Sequence, residues 1–143
     1  MARISRSALM FTSLFACALA GTAQEHWIAP PAAAKRMNPV ASNAASIEQG
    51  RQLFNTNCVA CHGPAGRGDG PAAPSLNPRP ADLAAMAGHH PDGDLAWKIA
   101  NGRGAMPSWK SSLSEQQIWI LVHYLKSLRA MDRQPQEMGQ HRH

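Results

Sequence analysis

The sequence predicts an all-α, loop-rich domain of about three to five helices. Three observations carry that expectation. Apolar residues recur at helical spacing in the C-terminal third, at Ile118, Leu121, Val122, Leu125 and Leu128. The stretches around the central cysteine pair are helical in character and show no strand pattern. Eleven Gly and eleven Pro among 143 residues, against 6% aromatics, describe many loops and few large side chains to fill a core. A hydrophobic share of 44% with 16% charged residues excludes a disordered chain, and the length fits one small domain.

The chain divides into a leader at 1–23, an arm at 24–43, a domain at 44–130 and a polar tail at 131–143. Arg3 and Arg6 precede an uncharged, mostly apolar run from Ala8 to Ala20. Two small-residue cleavage patterns follow, Ala18-Leu19-Ala20 and Gly21-Thr22-Ala23. This is the layout of a secretory signal peptide, and it assigns the mature chain to the periplasm. The run is shorter than the roughly 20 apolar residues a membrane helix requires. Cys17 has two readings. Leu14-Phe15-Ala16-Cys17 resembles a bacterial lipobox that would tether the chain to the membrane, with Phe15 atypical for it; otherwise Cys17 is a small apolar residue of the leader.

The arm carries Pro30, Pro31 and Pro39 and no apolar period. Three fates are open to it: packing on the domain through Trp27, docking a partner, or disorder, of which disorder is the expectation. The first domain helix is predicted to start at Ser46 with a capping box to Gln49, and Ile47, Gly50, Leu53 and Phe54 form its apolar face. Gly63-Pro64 ends the helical stretch beyond the cysteines. From Pro64 to Pro80 the chain is rich in Gly, Pro and Ala. It lacks the phosphate-loop pattern and a preceding strand, and reads as a compact loop packed on a flat ligand. A short helix is expected over Ala81 to Ala87. Another follows Asp92-Gly93-Asp94, with Leu95 and Ile99 inward and Asn101-Gly102 as its stop. The last helix has Ser114 as its cap with Gln117 completing the box, and beyond about Met131 a mobile tail is expected.

Cys58-Val59-Ala60-Cys61-His62 is Cys-x-x-Cys-His, the attachment pattern for c-type haem. Thiols three residues apart on a helical turn reach the two vinyl groups of one porphyrin, and His62 is adjacent to bind iron. A structural zinc site would need a fourth ligand and no second cysteine pair exists; a thioredoxin-like motif would need a βαβ context. A plain disulfide between Cys58 and Cys61 leaves His62 without a role. For the sixth ligand Met106 is the strongest candidate. Pro107 biases it away from helical geometry, and Gly102 and Gly104 let backbone approach a ligand closely. The competing reading of Met106 is core filler.

These residues together resemble a class I cytochrome c, over about Ser46 to Leu128. Gly50 and Phe54 stand before Cys58 at the family's spacing. Tyr124 matches the aromatic through which the last helix crosses the first, and Met106-Pro107 with Trp109 matches the distal methionine loop. The resemblance implies the cytochrome c fold around one covalently bound haem c, held by Cys58 and Cys61 with His62 and Met106 as axial ligands. It also implies a proline whose carbonyl accepts the ligand imidazole's hydrogen bond, followed by a leucine on the haem. Pro74 and Leu76 fit that pattern best, with Pro71 as a rival. Trp97 and Trp109 are core aromatics or haem-pocket residues reaching a propionate. His89, His90 and His123 are read as solvated or packed residues, and the His141 to His143 tract as a weak metal-binding signal.

The function implied is outer-sphere transfer of one electron at a time between redox proteins as donor and acceptor, by a monomer that is not an enzyme. Two alternatives stay open: a fixed cytochrome subunit of a larger oxidoreductase, docked through the Trp27 arm, and a haem protein that binds gaseous ligands or reduces peroxide if Met106 is labile. The formal charge of +5 does not argue for nucleic acid. Loss of Arg3 and Arg6 with the leader leaves 12 basic against the same 9 acidic residues, a charge of +3 that two haem propionates lower further.

Overall fold

The computed structural model describes residues 27–140, with side chains described as far as 129. The leader with Cys17 and the His141 to His143 tract lie outside the described residues. Six helices follow in order: α1 (Pro31–Ala34), α2 (Ala44–Asn57), α3 (Val59–His62), α4 (Leu83–Met86), α5 (Asp92–Asn101) and α6 (Glu115–Gln140), with a single 3-10 turn at Ala73–Ser75. Among the described residues there is no strand, and the one extended pairing is a bridge between Arg103 and Met106.

α2 begins two residues earlier than the sequence suggested. Asn43 is the cap: its Oδ1 accepts from the Ser46 N–H and the Ser46 hydroxyl accepts from the Asn43 N–H. Ser46 therefore closes the box from inside the first turn instead of opening the helix. The Ser114 box forms as read, with Gln117 Oε1 accepting from the Ser114 N–H. α6 also runs past Met131, as helix to Gln140, where the sequence suggested a polar, mobile tail.

The core is built where α2 crosses α6. Phe54 is fully buried, and its ring lies 5.2 Å from that of Tyr124 at 53°. Leu121, Val122, Leu125 and Leu128 of α6 and Leu95 and Ile99 of α5 complete it. Burying each of these side chains contributes about 1.5–3 kcal/mol. The crossing depends on Gly50, because a Cβ there would stand 2.6 Å from the Ile120 carbonyl oxygen and 2.7 Å from Tyr124 Cβ.

The arm is ordered from Trp27 onward, contrary to the disorder expected of it, because polar groups of α5 and α6 satisfy its backbone. Asp94 on α5 accepts from the Ala29 N–H at 2.9 Å. Asn38 donates to the Trp119 carbonyl and His123 Nε2 donates to the Val40 carbonyl. Gly93 lets α5 lie against α1, since a Cβ there would be 2.2 Å from the Ala33 oxygen. The Asp94 carboxylate also accepts from Lys98 and from His90, each at 2.7 Å, and the Lys98 ammonium faces the Trp27 ring. His90 is thus half-buried and hydrogen-bonded to a buried carboxylate, where the sequence suggested a solvated residue.

Burial by itself would raise the Asp94 carboxyl. The Lys98 ammonium, the Ala29 N–H and His90 outweigh it and hold the group below its ordinary value. A carboxyl held low stabilises the fold fully above its unfolded pKa, roughly pH 4, and that contribution disappears as pH falls through the folded value. Asp94→Asn, which leaves Lys98 without its counter-charge, is expected to lower stability at neutral pH by about 3 kcal/mol or more. The gap between the two proteins in urea unfolding should stay constant from pH 7 to about pH 5 and narrow only as pH falls further, through the unfolded value and then the folded one. At the crossing, Gly50→Ala is expected to cost about 1–3 kcal/mol by overpacking. An alanine inside a helix otherwise gains up to about 1 kcal/mol over glycine, so calorimetry distinguishes the two by sign.

Candidate functional site

The site grows from the C-terminus of α2. Cys58 leaves the helix at φ −120°, closing its last turn through its N–H to the Phe54 carbonyl, and starts α3 in turn. The Cys58 carbonyl accepts from the N–H groups of both Cys61 and His62, which puts both thiols and the imidazole on one turn. The thiols are free and half-buried. Burial, reinforced by Cys61, pushes the Cys58 thiol up to about 11. An environment that penalises a thiolate accepts a neutral thioether without that penalty.

A glycine loop wraps the exposed end of α3. Gly63 ends the helix at φ +73°, and then Gly68 donates to the His62 carbonyl, Gly70 to that of Cys61, and Ala72 to that of Ala60. Each carbonyl left over at the end of the short helix is thereby satisfied. The loop approaches α3 this closely because residue 70 has no side chain, and it packs on Pro80 and Leu128 because 68 and 66 have none. A Cβ on Gly68 would meet the Pro80 oxygen at 2.2 Å, and one on Gly70 the Ala60 oxygen at 2.5 Å.

His62 is buried, and its Nδ1 lies 3.1 Å from the Ala81 carbonyl oxygen. A carbonyl can only accept, so Nδ1 carries the proton and Nε2 keeps its lone pair. Burial lowers the His62 pKa, which the Ala81 hydrogen bond only partly opposes, so the ring is held neutral. A neutral imidazole with Nδ1 protonated is the form that ligates a metal through Nε2. The acceptor is therefore Ala81, and neither Pro74 nor Pro71. The reason is that Gly70 and Ala72 bond the Cys61 and Ala60 carbonyls, which leaves Pro71 and Pro74 exposed, and the imidazole meets the segment before α4. Leu76 is half-buried and outside the core cluster. The sequence did hold a signal for this segment: Asp82 before Leu83 is a helix cap, and its carboxylate accepts from the Ala85 N–H.

Met106 sits in a tight turn. Arg103 and Met106 exchange backbone hydrogen bonds of 2.9 and 3.0 Å across Gly104 and Ala105, with Gly102 and Gly104 at positive φ. Met106, Trp109, Cys58 and Val59 are all half-buried against the same core cluster. Trp97 is elsewhere. It lines a groove of about 200 Å³ with Ala33, Arg36, Glu115 and Trp119, on the face that carries the arm. It is not grouped with the residues around Cys58. Among the described residues no cluster of three or more His, Cys, Asp or Glu is placed to hold a metal ion.

The residues fit a covalently attached porphyrin: two free, half-buried thiols and a buried neutral imidazole with a free Nε2 on one turn. Comparison with known proteins decides the family. The model of the family described as cytochrome C oxidase, cbb3-type, subunit III matches residues 45–125. The chain belongs to this family. It is a small class I c-type cytochrome, and its cofactor is covalently bound haem c.

It is 35% identical over 89 residues to chloroplastic cytochrome c6 of Chlamydomonas reinhardtii, covering 59% of this chain and 55% of that one. With cytochrome c6 of Tetradesmus obliquus it shares 31% over 83 residues, or 57% of this chain and 90% of the relative. With the cbb3-type cytochrome c oxidase subunit CcoP of Azospirillum brasilense it shares 29% over 93 residues, 64% of this chain but 32% of the subunit. The chain thus spans about half of the chloroplastic relative and a third of the oxidase subunit. Among solved structures, the reducing HAO-like protein complex of Kuenenia stuttgartiensis matches with a TM-score of 0.55 and 28% identity, over 63% of this chain and 46% of that one.

Gly68 and Gly104 both have positive φ, but only Gly68 is enclosed; nothing lies within 4 Å of a Cβ at Gly104. Gly104→Ala is expected to cost about 1 kcal/mol from backbone strain alone. Gly68→Ala should add about 1–3 kcal/mol from the clash with Pro80. Urea unfolding of the two holoproteins side by side measures the difference.

Proposed function

We propose that this cytochrome carries single electrons between redox proteins in the periplasm. Cys58 and Cys61 would hold the haem through thioether links, and His62 Nε2 and Met106 Sδ would ligate its iron. The observation that carries the reading is the His62 hydrogen bond to Ala81, which fixes the ligating tautomer on the same turn as two free thiols. Haem c in this setting supplies a one-electron iron couple. The protein contributes a rigid frame. α3 is bonded at one end to Phe54 and at the other to the Gly68–Ala72 loop, and Met106 is held by the Arg103 turn. Neither proposed ligand has to move when charge changes, which keeps reorganisation small. With His62 and Met106 both ligating, the iron would exchange electrons and not bind substrate, and a small transient contact would suffice for a partner. Among the described residues no helix is long and apolar enough to cross a membrane.

One observation favours a second reading, a fixed subunit of a larger oxidoreductase. The matching family is that of an oxidase subunit, and the arm lies bonded along α5 and α6. Purification of the mature protein as a free monomer that exchanges electrons with soluble partners decides for the carrier; isolation only within a complex decides for the subunit.

Met106→Ala tests the ligand set. Loss of a thioether ligand is expected to lower the reduction potential and abolish the sulfur-to-iron absorption of the ferric protein. It should also let the reduced protein bind carbon monoxide rapidly. An unchanged spectrum and potential would assign the sixth position to another residue.

A further inference from the structure

We propose that Asp82 is a positioning residue for the iron ligand, acting through the Ala81 carbonyl; the inference rests on His62 as the axial ligand. Ala85 is four residues after Ala81, so in a continuous helix its N–H would bond the Ala81 oxygen. Here Asp82 is extended at φ −71°, ψ 102°, and its Oδ1 takes the Ala85 N–H at 2.9 Å. The Ala81 oxygen is thereby released from the helix and given to His62 Nδ1. Leu83 fastens the same segment by donating to the Gly66 carbonyl, and Gly68 provides the space beneath Pro80. The side chain of Asp82 thus decides which of two donors, the Ala85 N–H or the imidazole N–H, holds this carbonyl.

Without a cap, α4 can extend backwards by one residue and the Ala85 N–H competes for the oxygen. The imidazole then loses its acceptor. It becomes a poorer electron donor to ferric iron, and its plane is no longer fixed. Because the action is that of an acceptor at a helix N-terminus, it depends on hydrogen-bonding capacity and not on charge. Asp, Asn and Ser cap about equally well, and Ala does not.

The experiment compares holoprotein with Asp82, Asp82→Asn, Asp82→Ser and Asp82→Ala. It reads the reduction potential and, by NMR, the exchange rate of the His62 ring N–H with solvent. All three substitutions remove the same charge, so any effect of charge alone moves them together. The expected result is that the Asn and Ser proteins share one potential, while the Ala protein lies clearly above them. Its ring N–H should exchange about five-fold faster than theirs, the factor corresponding to a lost cap. If Ala behaves like Asn and Ser in both readouts, Asp82 does not position the ligand and the proposal is overturned. The Asn and Ser proteins retain the cap, so they report even if the Ala protein loads haem poorly. In that case potentials in Asn and Ser that differ by as much as either differs from wild type overturn it. Absence of a paramagnetic shift on the His62 ring in the wild type would instead overturn the ligand assignment, and this proposal with it.

Discussion

The close approach of α2 to α6 at Gly50 is the constraint from which the rest of the structure follows. The glycine lets the α6 backbone at Ile120 come within van der Waals reach of α2. That contact sets the register in which Phe54 meets Tyr124. α2 then delivers Cys58 at a fixed place, because the cysteine is bonded to the Phe54 carbonyl itself. α6 also supports the opposite wall. A Cβ on Gly66 would be 2.8 Å from Leu128 Cδ1, so the loop that caps α3 is pressed on the same helix two turns further along. One helix therefore backs both the turn that carries the thiols and imidazole and the loop that closes over it.

This arrangement explains how a chain with so few aromatics holds its site. The side chains at 66, 68 and 70 are absent so that backbone can do the bonding. The carbonyls of Ala60, Cys61 and His62 are each met by an N–H from the loop. Main-chain hydrogen bonds of this kind hold position without adding mobile side chains or charge near the buried imidazole. Both groups that define the His62 tautomer, its ring N–H and the Ala81 carbonyl, are neutral, which suits the one-electron change of charge proposed for the site.

Much of the frame was legible in the sequence, and the reasons are local. The Ser114–Gln117 box, the α6 stripe, the Gly63 and Gly102 stops and the Cys-x-x-Cys-His turn are encoded within a few residues, where spacing and backbone preference suffice. The acceptor for His62 was not legible, because it lies 19 residues away and is a main-chain oxygen of alanine, a group every residue possesses. Only the path of the loop selects Ala81 over Pro74. The α2 start was misplaced because Asn43 and Ser46 are both good caps three residues apart, and which one opens the helix is settled by Ser46 also bonding the Ala41 carbonyl. Trp97 looked like a pocket residue by type alone. Its side of α5 is the one shared with Gly93, which the arm occupies.

The arm shows how a segment without periodicity becomes part of a domain. Its composition gives no reason to fold, yet Asp94 and Lys98 on α5 form an ion pair whose side chains are only 4% and 5% exposed. Charges so deeply placed are tolerated only when their remaining hydrogen-bonding capacity is filled. The Ala29 N–H fills the free carboxylate oxygen, and the Trp27 ring covers the ammonium. Removing the arm would leave the pair partly uncovered, and returning it would cost a partner protein that same rearrangement. A partner that engaged this face would therefore meet the arm in place. It would find Ile28 and Met37, which are exposed at 68% and 88%. The arm is thus a fixed part of the surface, secured by a buried charge that the helices alone leave incompletely satisfied.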